Sequence, residues 1–276
     1  CGVDACAQMN RCMENIELLK CVDKPNFFVT HADIPYKYTD YTLDHYVIQM
    51  QNRVLNTMHE KLGVDVSDAA LRESVARHNE LCKVMTEISE MRKLANPPIT
   101  GYEFHIINMV SYVCPQKLIL PYLQETLAEI KKRKPDPKPW YRCRVGIVGS
   151  EVDDPNLTRM LEEAGAFICF DRFCFGMFPG REVIELNDEE PALRQICRHY
   201  LITSECPRFM SNEKIEQRRE TADRLAREYD ADGIIYENVK FCDFWGFERA
   251  LASHIQFEEY GHPVLTIDRP YNAKTS

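Results

Sequence analysis

Twelve cysteines stand at Cys1, Cys6, Cys12, Cys21, Cys82, Cys114, Cys143, Cys169, Cys174, Cys197, Cys206 and Cys242. They show no paired-bridge rhythm, and a chain of 276 residues is larger than the secreted scaffolds that disulfides hold together. Reduced thiols or metal ligation is therefore the better reading. Two cysteines have a setting that suits chemistry. Cys6 opens CAQMNRCMENIELL, a helical pattern running toward Lys20, and Cys242 sits in NVKFCDFWGFE, between the apolar run IIYE and another helical stretch. A thiol at a helix N-terminus has its pKa lowered by the exposed N–H groups and the dipole, so it is available as the thiolate that binds metal. Soft thiolates from separate domains suit an iron–sulfur cluster better than a hard cation. Cys114 and Cys206, each followed by proline, read as packed thiols at turns or helix ends. The eight histidines have no HxxxH or HExxH spacing, which argues against a histidine zinc site.

The elements that must hold these thiols fall on either side of a linker. Residues 131–141 read KKRKPDPKPWY, where three prolines among charges stop the preceding helical pattern. This predicts two domains, residues 1–138 and 139–276. Upstream, a strand is expected at residues 27–30, followed by helices over 39–62, 67–94, 101–113 and 115–134, where apolar residues recur at three and four. Ser67 and Asp68 suit an N-cap, and Asn96-Pro97-Pro98 ends that helix. Downstream, strands at 144–148, 166–171, 233–237 and 264–268 alternate with helices at 155–164, 190–201, 212–229 and 247–260. Such βαβα order implies an α/β fold with a parallel sheet, Rossmann-like or flavodoxin-like.

In sheets of this kind ligands gather at the carboxyl ends of the strands. The loops to watch are therefore residues 149–154, 171–176 and 238–246. Glu151, Asp171 and Glu237 lie in or beside them and are candidate proton donors, each equally readable as a helix cap or solvated loop carboxylate. GIVGSEVDDP, from Gly146, has neither the spaced glycines of a dinucleotide fingerprint nor the Gly-Lys-Ser/Thr of a phosphate loop, so no nucleotide is expected on this chain. A formal net charge of -9 opposes binding to nucleic acid. No apolar run approaches the roughly 18 residues of a membrane span, and the first residues do not have the form of a signal peptide, so no membrane partner and a cytoplasmic location are expected.

The stretch from Cys6 to Glu14, PNFFVTHADIP, RVGIVGSEVDD, EEAGAFICFDRFCFG and above all EYDADGIIYENVKFCDFWGFE resemble, in order, successive blocks of the 2-hydroxyacyl-CoA dehydratase and benzoyl-CoA reductase subunits. The resemblance covers essentially the whole chain. It implies a pair of Rossmann-like domains plus a helical segment, with a 4Fe-4S cluster held by three cysteines in the crevice between domains. Two of those ligand positions fall on Cys6 and Cys242. The family has a further segment ahead of Cys1, with a first strand and another ligating cysteine, and a final helix beyond Ser276. The sequence is thus expected to be an incomplete copy, with the third ligand unassigned and Cys1 a weak substitute. The resemblance further implies a homologous sister subunit, ATP-hydrolysing iron–sulfur activator subunits fed by a ferredoxin, and an acyl-CoA substrate reduced through a ketyl-type radical anion. KFCDFWGFERALASH and TIDRPYN look closer to the reductases, so reduction of benzoyl-CoA to a cyclic diene is the expected reaction. The alternatives are (R)-2-hydroxyacyl-CoA dehydration and, from another class, a non-catalytic subunit that docks the activator or binds zinc.

Overall fold

The structure, a computed structural model, describes residues 2–3, 7–20, 22, 24, 27–135, 139–177 and 181–270. Its compact units interleave in sequence. One comprises Cys1–Ala76, Ile184–Ser204 and Arg208–Ser211, the other Arg77–Val183, Glu205–Pro207 and Asn212–Ser276. The proline-rich stretch predicts a division at residues 138/139, whereas this stretch lies inside the second unit.

In the first unit β1 (Gly2–Val3) pairs in parallel with β2 (His31–Ala32), and α1 (Ala7–Leu18) joins them. The strand expected at residues 27–30 is instead these two residues further on. The helical stretch expected over 39–62 is α2 (Asp40–Gln49), a π-helical segment (Met50–Leu55) and α3 (Asn56–Leu62). Thr39 caps α2 reciprocally with Thr42. α3 ends at Gly63, whose φ of 65° is the left-handed conformation that glycine adopts at helix C-termini. Leu43 and Tyr46 are buried, as are Leu193, Cys197 and Leu201 on α8 (Ala192–Thr203). Burial pushes the Tyr46 hydroxyl well above the usual tyrosine range. Asp68, at the start of α4 (Asp68–Glu90), accepts from the Ala192 amide at 2.6 Å and so caps α8.

The second unit holds a four-stranded parallel sheet, β4-β3-β5-β6, made of β3 (Cys143–Gly149), β4 (Ala166–Arg172), β5 (Gly233–Val239) and β6 (Val264–Arg269). All seven residues of β5 are buried, as expected of a central strand with both faces covered. The covering helices are α7 (Asn156–Glu163), α9 (Asn212–Glu228) and α10 (Asp243–Glu258). One core gathers Phe167, Phe170, Tyr236, Trp245 and Ala252 between sheet and helices. Another joins the later part of α4 to α5 (Gly101–Val113) and α6 (Gln116–Lys132) through Leu81, Met85, Phe104 and Leu127. The Thr100/Glu103 capping box starts α5. Glu162 of α7 accepts from the Gly101 and Tyr102 amides at 2.7 and 3.0 Å, supplying negative charge where the α5 dipole is positive.

Candidate functional site

The strand order brings three loops together at the carboxyl edge of the second unit's sheet, and a small set of bonds fixes them. β3 ends at Gly149, where a Cβ would overlap the Glu237 carbonyl, so only glycine allows the two strands this approach. Ser150, next in sequence, is 1% exposed. Its hydroxyl donates to Glu237 Oε2 at 2.8 Å and accepts from the Val239 amide at 2.5 Å. Its carbonyl accepts from the Cys174 amide at 3.1 Å, which ties in the turn after β4. The Lys240 amide donates to the Arg269 carbonyl at 2.9 Å, so β6 holds the other side of the β5–α10 loop.

Cys242 is the N-cap of α10, with no side-chain capping bond. Its amide closes a turn onto the Val239 carbonyl at 3.1 Å, and its carbonyl accepts from the Gly246 amide at 2.9 Å. The thiol expected at a strand-to-helix junction therefore stands at one, half-buried at the end of β5. Cys174 and Cys206 pack against the same core as Cys242. Burial drives the Cys174 thiol far above the usual cysteine range, with Cys206, Cys242 and Glu151 adding to the rise and a hydrogen bond from the Trp245 indole opposing it. Three thiols thus converge from the β4 turn, the loop before α9 and the β5–α10 loop. From sequence Cys206 reads as a packed thiol and Cys174 has no feature that singles it out, beyond its place in the loop 171–176.

The candidate carboxylates divide. Asp171 is 3% exposed, pairs with Arg92 at 2.6 Å and accepts from the Met177 amide at 2.7 Å. Glu237 is fully buried and pairs with Arg269 Nε at 2.6 Å. Burial raises its carboxyl above the ordinary glutamate range, while Arg269 and Ser150 pull it back. Both carboxyl groups are thus the acidic partners of interior arginines. Glu151 is half-buried, faces Cys174 electrostatically and lends its backbone carbonyl to Arg269.

Cys1 and Cys6 lie outside the described residues. Among the described residues no group of three or more His, Cys, Asp or Glu side chains is arranged to hold a metal ion. The donor chemistry at Cys242 fits one thiolate ligand of a cluster, and the described residues do not complete a ligand set. Also among the described residues, no helix is long and apolar enough to cross a membrane.

Fold and site define an α/β protein whose thiols and acidic groups collect at the carboxyl ends of parallel strands. The family described as 2-hydroxyglutaryl-CoA dehydratase, D-component, matches residues 1–275, and the chain belongs to that family. It is 24% identical over 235 residues to a benzoyl-CoA reductase subunit of Thauera aromatica, covering 83% of this chain and 59% of that one. It is 26% identical over 212 residues to the (R)-phenyllactyl-CoA dehydratase beta subunit of Clostridium sporogenes, covering 77% of this chain and 54% of that one. The matched regions therefore span between half and three fifths of these relatives.

Proposed function

We propose that this chain is a cytoplasmic subunit of an enzyme that reduces the acyl group of an aromatic acyl-CoA thioester, benzoyl-CoA in the first instance, with Cys242 and Cys6 as ligands of a 4Fe-4S cluster. The observation that carries the reading is the position of Cys242: the N-cap of a helix, at the carboxyl end of the central strand of a parallel sheet, in a chain whose family membership runs through 275 residues. When bound, such a cluster supplies single electrons at low potential.

The chain's own residues supply the rest. Cys242 stands at the N-terminus of α10, where exposed amides and the helix dipole favour an anionic ligand atom. Ser150, Glu237 and Arg269 hold the loop that carries it at both ends. Asp171 and Glu237 are engaged with arginines, and Glu151, half-buried and electrostatically coupled to Cys174, is the third proton-donor candidate. With no phosphate loop here, ATP hydrolysis falls to separate activator subunits fed by ferredoxin, and the enzyme is completed by a homologous sister subunit.

A second reading, (R)-2-hydroxyacyl-CoA dehydration, is favoured by the similarity to the phenyllactyl-CoA dehydratase beta subunit. The experiment that decides is an anaerobic preparation of the complete complex incubated with benzoyl-CoA and with a 2-hydroxyacyl-CoA. A cyclic diene from the first supports reduction. An enoyl-CoA from the second with no diene replaces it with dehydration, and no turnover of either defeats both.

A further inference from the structure

We propose that Phe241 contacts the apolar acyl group of the substrate, a proposal that rests on the acyl-CoA reading above. Phe241 has φ of +75°, a left-handed conformation that bulky side chains avoid. It occupies the third position of the four-residue turn closed by the Cys242 amide on the Val239 carbonyl. A turn with φ > 0 only at that position is of the type II kind, which favours glycine or asparagine there. Here a phenylalanine takes the place, and the residue is 80% exposed.

An exposed aromatic alone needs no explanation, since single apolar residues on surfaces are ordinary. Its combination with a disfavoured backbone does. Within the described chain neither the backbone nor the side chain of Phe241 gains from this arrangement: the backbone is strained, and the ring stays in water. Strain of this kind clusters where a site must present a group in one direction. The direction in which Cβ leaves the backbone is fixed, because the turn is fastened by Val239 N–H to Ser150 Oγ, Lys240 N–H to the Arg269 carbonyl and Cys242 N–H to the Val239 carbonyl. An exposed aromatic side chain carried on a fastened backbone next to Cys242 at the end of β5, at the sheet edge where ligands bind, suits an apolar group of small size. A large and adaptable protein surface would not require the side chain to start from such a turn.

The test uses the complete anaerobic complex with wild-type chain, Phe241→Gly and Phe241→Leu. Thermal stability, iron and acid-labile sulfide, assembly by size exclusion, and KM and kcat with an aromatic acyl-CoA are measured on each. Glycine relieves the strain, so Phe241→Gly is expected to melt no lower than wild type and to keep its iron and its assembly. Its KM for the aromatic acyl-CoA is expected to rise about tenfold, the loss of one aromatic contact, with a smaller change in kcat. Phe241→Leu, which keeps an apolar side chain, should fall between. An unchanged KM in both variants overturns the proposal, and so does loss of assembly with substrate binding intact, which would make the ring a contact between subunits. A wild-type complex that lacks iron or is inert toward every acyl-CoA overturns the acyl-CoA reading itself. That outcome is distinct from an active wild type matched by its variants.

Discussion

Ser150→Ala is the substitution that most sharply tests how the β5–α10 loop is held. It removes one hydroxyl that is 1% exposed and joins two elements. With it goes the donor to the Glu237 carboxylate at 2.8 Å and the acceptor for the Val239 amide at 2.5 Å. A hydrogen bond to a charged partner contributes about 1.5–3 kcal/mol, and a buried amide left without an acceptor costs about 1–3 kcal/mol. Partial relaxation brings the expected loss to about 3 kcal/mol, or on the order of 6–12 °C in Tm for a unit of this size. Denaturant titration with unchanged m-value checks it, with Ser253→Ala, a half-buried serine whose hydroxyl bonds the Ala250 carbonyl of its own helix, as a control within about 0.5 kcal/mol of wild type. The pH dependence adds a second signature. Burial raises the Glu237 carboxyl, so the folded state holds that proton more tightly than the unfolded one. This group's contribution is full below the ordinary glutamate pKa and is lost as pH rises through the raised value. Ser150 is one of the groups that lower it, so in Ser150→Ala the loss should extend to higher pH. A destabilisation under about 0.5 kcal/mol, with an unaltered pH profile, would refute the idea that Ser150 bridges the loops.

Arg218 and Glu248 form an interior pair at 2.6 Å with side chains 6% and 4% exposed. Arg218→Met should cost about 3–5 kcal/mol by stripping the carboxylate of its cation, and Arg218→Met/Glu248→Leu should recover most of it in the same denaturant assay. Glu162→Ala removes the acceptor of the first amides of α5 and should cost about 2 kcal/mol, read as a lower midpoint at constant m-value. Burial pushes the Asp223 carboxyl up, but hydrogen bonds from Arg227 and His262 outweigh it and hold the pKa below the usual aspartate value. Its contribution is present above the ordinary aspartate pKa and is lost as pH falls through the lowered one, so Asp223→Asn should flatten the acid limb of a stability–pH curve.

What the sequence made legible was local. The α5 boundaries agree to the residue with the periodicity, because Thr100-Gly-Tyr-Glu103 spells a capping box and Cys114-Pro115 ends the helix. The junction at Cys242 was readable because a buried strand, IIYE, is followed by a loop and a helical period, although the helix begins at Asp243 rather than at the expected residue 247, which makes Cys242 its N-cap. The π-helical segment left no mark, since apolar residues keep nearly the same spacing through it. Nor could spacing reveal that Cys174 and Cys206 gather beside Cys242. That follows from the order β4-β3-β5-β6, which sets the end of β4 and the end of β5 on either side of β3. Asp171 and Glu237 were visible as carboxylates at strand ends, but their partners, Arg92 and Arg269, come from distant segments.

The measurement closest to the central claim is the iron and acid-labile sulfide content of the anaerobically purified complex, with wild-type chain and with Cys242→Ser. Serine changes little volume but replaces a soft ligand by a hard, mostly protonated hydroxyl. The wild-type complex is expected to carry iron and sulfide and to absorb in the visible. The Cys242→Ser complex is expected to stay folded while iron, visible absorption and turnover fall together, with Cys6→Ser behaving alike. A Cys242→Ser complex with full iron, unchanged spectrum and full turnover would contradict this expectation and remove Cys242 from the site.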